Sequence, residues 1–129
     1  MQPFGSHLEK TYLALPSPFY TINKPDKVVN PHMVICNYTL AESLGLKLSN
    51  EYEQSLVEVF SGNLQGDTAS FSQAYAGHQF GHFTILGDGR ALMIGEHIDK
   101  GNNRYDIQFK GSGKTAFSRN GDGRAALGP

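Results

Sequence analysis

The sequence predicts an α+β fold: an antiparallel β-meander over about residues 82–110, preceded by short helices and an irregular N-terminal arm. Tyr105 to Lys110 alternates in the two-residue period of a strand. Two glycine-bearing turns, Gly87–Arg90 and Lys100–Asn103, divide residues 82–110 into three strand-length runs. Upstream, two short apolar stripes carry helix start and stop signals.

In chain order, residues 1–26 are aromatic and carry Pro3, Pro16, Pro18 and Pro25, which reads as an irregular arm packed on something else. Residues 27–81 hold a strand and short helices. His32–Cys36 is expected as a short strand, and Cys36, at the end of the apolar run Met33–Cys36, as a buried core thiol. Thr39 and Glu42 form a capping-box pattern that starts a short helix, stopped at Gly45. Ser49 or Asn50 is expected to cap a second helix, with Leu56, Val57 and Phe60 as its buried stripe and Gly62 as its end. Residues 82–129 hold the meander, with strands at His82–Leu86, Ala91–His97 and Tyr105–Lys110, followed by a glycine-rich loop.

The chain has 129 residues, the size of one domain; 39% are hydrophobic and 18% charged, as in globular proteins. A net charge of -1 provides no general attraction to nucleic acid or to an anionic membrane surface. Cys36 is the sole cysteine, so no intrachain disulfide can form, which fits a reducing compartment and an expected cytoplasmic location. No stretch approaches the roughly 20 apolar residues of a membrane span, and the first residues lack a signal-peptide pattern. The 15 glycines concentrate between Gly77 and Gly128.

That concentration falls on the chemistry-bearing motifs. Gly87-Asp88-Gly89-Arg90 is either an ordinary hairpin turn or a loop whose amides and arginine meet phosphate oxygens. Lys110 ends the third strand on its polar face, where kinase-like folds place a lysine that reaches nucleotide phosphates; alone it would read as a solvated strand end. Gly111-Ser112-Gly113-Lys114-Thr115 fails as a P-loop, because the position needing the first glycine is Gln108. His78-Gln79-Phe80-Gly81-His82 lacks the glutamate of a zinc-protease helix, and its histidines are expected to make structural hydrogen bonds. Asn120-Gly121-Asp122-Gly123 fails as an EF-hand at Ser118 and Pro129, leaving an aspartate between Arg119 and Arg124 that suits a polyphosphate or simply a loop.

Three strings, taken together, resemble the selenoprotein O/YdiU family: Ala74–Phe83, Leu86–Ala91, and Phe109–Arg119 running on to Gly121–Ala125. Weaker similarity reaches back through Asn30-Pro31 and the Leu44-Gly45-Leu46 helix end, so the resemblance covers the chain from about Tyr20. It implies the N-lobe portion of a kinase-like (pseudokinase) fold that binds ATP in a flipped orientation. It further implies transfer of AMP from ATP to Ser, Thr or Tyr hydroxyls of protein substrates, assisted by Mg2+ or Mn2+. By this resemblance Gly87, Gly89, Arg90, Lys110, Asp122 and Gly123 match ATP-contacting positions. Asn120 stands where the family often has a second arginine. The family's general base, its metal ligands and the glutamate that pairs with the lysine lie beyond Pro129. No catalytic or metal-binding residue is therefore expected in this chain, and by itself it is expected to be inactive. The alternatives are a non-catalytic nucleotide-binding or interaction module, or a truncated gene product.

Overall fold

A computed structural model describes residues 7–48, 50–64 and 69–125. Five antiparallel strands and two short helices form the framework: β1 (Tyr20–Asn23), α1 (Tyr38–Ser43), α2 (Glu53–Phe60), β2 (Ser70–Gln79), β3 (His82–Gly87), β4 (Ala91–Ile98) and β5 (Arg104–Lys110). This is the expected α+β class, with β3, β4 and β5 where the turns and alternation put them.

The pairing differs from a simple three-stranded meander. The strand order is β1-β2-β4-β5, and β3 pairs with β2 rather than with β4. The unpredicted strand β2 is responsible. Its first half joins β1 and meets β4 at Phe71–Met93, and its second half forms a hairpin with β3 from Ala74–Gly87 to Gln79–His82. Phe80 and Gly81 close that hairpin with φ of 57° and 80°, the backbone of a tight two-residue turn. His78 and His82 thus lie on strands, both exposed, and neither makes the structural side-chain hydrogen bond expected of it with another described residue.

The sheet separates two packing layers. Leu92 pairs with Phe109, so their side chains share a face, and α2 meets it through Phe60, whose ring lies edge-on to Phe109 at 6.3 Å. On β2, fully buried Phe71 stacks against Tyr12 at 5.4 Å and lies edge-on to Tyr20. Tyr12 and Tyr20 belong to the arm, which is less irregular than its prolines suggested: it has two 3-10 turns, Thr11–Ala14 and Ser17–Phe19, and then β1. Where β2 gives out, Glu9 takes its place beside β4, exchanging two backbone hydrogen bonds with Glu96. Gly95 permits this approach, since a Cβ there would meet Leu8 and the Glu9 carbonyl.

Three local expectations are corrected. Residues 32–36 form no strand: no neighbouring strand offers them a ladder, Val34 and Ile35 face solvent, and Cys36 is half-buried rather than in the core. The first helix begins before Thr39. Asn37 is its cap and accepts from the Leu40 amide at 3.0 Å, which leaves Thr39 inside the first turn. The second helix has Tyr52 at its cap position without a side-chain bond, after a 3-10 turn at Asn50–Tyr52; Ser49 lies outside the described residues. Both stops hold. Gly45 and Leu46 return hydrogen bonds to Glu42 and Ala41, a Schellman pattern, and Gly62 bonds back to Val59. Leu56 and Val57 are buried and Phe60 half-buried.

One ionic cluster fastens the arm. Thr11 donates to Glu96 at 2.5 Å, and Arg104 bridges Glu96 and Glu9 at 2.5 and 2.7 Å. The Thr11 hydroxyl, with Arg104 beside it, holds the Glu96 carboxyl below the usual carboxylate range against the opposing effect of burial. A depressed carboxylate contributes stability above its unfolded pKa and loses it as pH falls through its folded one. Stability should therefore drop as pH falls below about 4.5. Urea-unfolding midpoints measured between about pH 6 and 3 should show a shallower acid loss for Glu96→Gln than for the parent. Equal slopes would remove the Glu96 carboxylate from the arm's attachment and leave only its backbone pairing with Glu9.

Candidate functional site

The β3–β4 turn and the loop that follows β5 build one site between them. Residues 111–125 double back across the turn, held by a series of specific hydrogen bonds. Gly111 donates to the Arg90 carbonyl at 2.6 Å, Thr115 Oγ1 to the Asp88 carbonyl at 2.5 Å, and Ser118 Oγ to the Gly89 carbonyl at 2.5 Å. Within the loop Gly113 donates to Gly123 at 3.2 Å, beside a bridge between Ser112 and Arg124. Asp26 secures the loop from the other side, its amide donating to Ser112 and its carboxylate accepting from Lys114.

The glycines make this approach possible. Gly87 lies against the Phe117 ring so closely that a Cβ would overlap it, and Gly123, at φ 71°, lies against the backbone of Gly113. These close contacts serve the protein's own loop, a use of the glycine bias distinct from closeness to a ligand.

Between turn and loop lies a cleft of about 580 Å³. Of the six residues singled out from sequence, Gly89, Arg90, Lys110, Asp122 and Gly123 line it. Gly87 does not: it borders a neighbouring apolar depression with Phe117, Phe80, Ile85 and Arg119. Antiparallel pairing of Ala91 with Lys110 sets the lysine beside Arg90 at the mouth of the β4–β5 ladder. Arg124 completes a group of three cations, and none of the three is ion-paired with another described residue. The amides of Gly89, Asp122 and Gly123 likewise donate to no other described residue.

Two carboxylates enter the cleft. Asp88 is half-buried, and that burial raises its pKa against the lowering effect of the Gln73 amide, which donates to it at 2.9 Å. Asp122 accepts from the Arg124 amide at 2.9 Å, a local turn contact that fixes its orientation. Unpaired cations and unengaged amides around one concavity suit a multivalent anion, because each can form a charge-assisted or dipolar bond to an anionic oxygen. Among the described residues no group of three or more His, Cys, Asp or Glu could hold a metal ion.

Sequence reasoning missed Gln108, Ser118 and Tyr75 as lining residues. Gln108 shares a strand face with Lys110 two residues on, which could have suggested it. Tyr75 needed β2 to be recognised first. Ser118 had no local signal, since its role depends on the loop folding back.

If Gly87 is present for Phe117, a double-mutant cycle should show it. Gly87→Ala should destabilise the chain, and pairing it with Phe117→Ala should yield a coupling of about 0.5–3 kcal/mol by urea unfolding, because the second change removes the overlap. Strict additivity would separate Gly87 from Phe117.

Comparison with known proteins places these features in a family. Residues 5–128 match the family model described as protein adenylyltransferase SelO. The chain is 55% identical over 129 residues to protein nucleotidyltransferase YdiU of Nitrosococcus oceani, covering 99% of this chain and 26% of that protein. It is 55% identical over 126 residues to the protein of the same name from Pelagibacter ubique, and 52% to that of Clostridium botulinum strain Hall, each covering 97% of this chain and 26% of the relative. The chain thus spans about a quarter of the length of these relatives.

Proposed function

The chain belongs to the protein adenylyltransferase SelO family, and from that premise we propose that it forms the phosphate-binding part of an ATP-dependent enzyme that transfers AMP to Ser, Thr or Tyr hydroxyls of proteins. The observation carrying this reading is the convergence of Arg90, Lys110 and Arg124, all without ion pairs among the described residues, with the unengaged amides of Gly89, Asp122 and Gly123 on one cleft.

In AMP transfer a hydroxyl oxygen bonds to the α-phosphorus, the bond from that phosphorus to the bridging oxygen breaks, and pyrophosphate leaves with the electron pair. The hydroxyl proton passes to a base. Such reactions depend on positioning and on neutralising charge more than on covalent help from the protein. The cations of this cleft suit the polyphosphate: Arg90 offers a planar fork for two oxygens, and Lys110 a compact charge. Asp122, fixed by Arg124, is placed to accept from the nucleotide or to orient a hydrated phosphate.

Mg2+ or Mn2+ supplies further charge neutralisation in reactions of this class. Among the described residues the cleft carboxylates each accept one backbone amide, Asp88 from Gln73 and Asp122 from Arg124. On the family resemblance, we assign the metal ligands, the general base and the surface that selects the protein substrate to polypeptide that the relatives carry outside the matched quarter. Among the described residues no helix is long and apolar enough to cross a membrane. The single cysteine fits a reducing compartment, and on that ground we place the reaction in the cytoplasm.

Two measurements test the reading. In a full-length protein carrying this segment, Lys110→Ala should lower AMP transfer by about 100-fold or more, the scale for losing one positioned charge stabiliser. Near-normal transfer would return Lys110 to a solvated strand end. Incubated alone with manganese, candidate proteins and α-labelled ATP, this chain should leave no label on protein. Robust labelling abolished by Lys110→Ala would show that the chain is catalytic by itself; parallel trials with UTP would identify the donor.

A further inference from the structure

The β2–β3 hairpin extends past the rest of the sheet with an unusual surface. Residues 70–87 contain no Asp, Glu, Lys or Arg. In this stretch Phe80, Phe83 and Ile85 are 77%, 73% and 81% exposed. Phe83 and Ile85 alternate on one face of β3 and sit opposite His78 and Ala76 of β2, so they form one apolar strip, with Phe80 at its tip. β3 is also an edge strand, paired among the described residues only with β2.

Soluble proteins protect such edges with lysine, proline, a bulge or a covering element. None of the first three occurs along β3: its six residues His82–Gly87 pair without a register shift and carry no formal charge. A strip of this composition is expected where another surface covers it. The relatives indicate the source of the cover. The matched segment accounts for 26% of their length, so about three quarters of each relative lies outside it. Cover supplied by the same polypeptide requires no pairing of charges, because tethering holds the two surfaces at high local concentration. That fits a strip whose own residues carry no formal charge, with Arg119 at its Phe80–Ile85 border.

We propose that the outer face of the β2–β3 hairpin, with Phe80, Phe83 and Ile85 as anchors, is the docking surface for polypeptide that full-length relatives carry outside the matched quarter, through an apolar and uncharged contact. This rests on family membership and chain length and is independent of the nucleotide reading.

The experiment replaces the matching quarter of the Nitrosococcus oceani protein with this chain and places a photoreactive benzophenone analogue of phenylalanine at position 83. Irradiation should cross-link position 83 within the same molecule, to peptides from outside the matched quarter. Hydrogen exchange of the amides of residues 82–86 should be at least about tenfold slower in the chimera than in the isolated chain, with residues 92–94 of β4 reporting that both are folded. If those β4 amides are unprotected in the chimera, the isolated chain mixed with the separately produced remainder is used in the same two measurements. A cross-link to position 83 of a second molecule would make the strip a contact between copies and overturn the proposal. So would the absence of any cross-link to the remainder, or equal exchange in both proteins. Phe83→Ser combined with Ile85→Ser, both at exposed positions, should restore fast exchange at residues 82–86 while β4 stays protected. Exchange that stays slow would show that these side chains are not the anchors.

Discussion

Two hydroxyls hold the glycine loop on the turn it covers: Thr115 on the carbonyl of Asp88 and Ser118 on that of Gly89. Gly111 aside, these are the bonds that tie residues 111–125 to the turn itself; Asp26 and the Gly113–Gly123 bond hold the loop elsewhere. With them, Gly89 and Arg90 from one segment and Asp122, Gly123 and Arg124 from another face the same space. Backbone carbonyls in a turn are obligatory acceptors and must find donors when covered. Short hydroxyl side chains satisfy them without adding charge, so the cations remain available to a ligand. The electrostatic character of the site thus follows from how its turn is satisfied.

Glycine has two roles in this arrangement. Gly87, Gly111, Gly113 and Gly123 each lie so close to a neighbouring residue that a Cβ would collide with it. Gly89 lies under looser constraint, with the Phe117 carbonyl 3.1 Å from where its Cβ would stand. A glycine-rich sequence near a phosphate site invites the idea that every glycine admits the ligand. Here most admit the chain itself, and ligand access is a consequence of a loop packed that tightly.

Much of this was legible from the residues. Tyr105 to Lys110 announced β5 by alternation, because one of its faces packs on Phe60 and the other is wet. Gly45 and Gly62 announced helix ends, since only those backbones turn left-handed there. β2 was hidden for a physical reason: buried at its start and exposed at its end, Ser70–Gln79 has no constant face and so no constant period. Its serines Ser70 and Ser72 are buried and bonded to Asn23 of β1. The apolar run at residues 33–36 misled in the opposite sense, since apolar residues make a strand only where a neighbour can complete the ladder. Five of the six residues singled out from the motifs line the candidate cleft, and Gly87 does not. Their geometry was not legible, because Phe117 and Ser118 act only after the loop has closed.

The attachments of the arm also constrain when the segment can become native. Glu9 pairs with Glu96, Thr11 bonds to Glu96 across 85 positions, and Asp26 binds Lys114 across 88. A chain made from its amino end at about 5–20 residues per second must wait roughly 5–20 s between releasing its first such group and meeting the partner. Tyr12 and Tyr20 wait a shorter time, since Phe71, against which they lie, precedes both Glu96 and Lys114 in the chain. The arm can therefore complete its contacts only after Glu96 of β4 and then Lys114 beyond β5 have been made, so the beginning of this sequence waits for nearly the whole of the described chain.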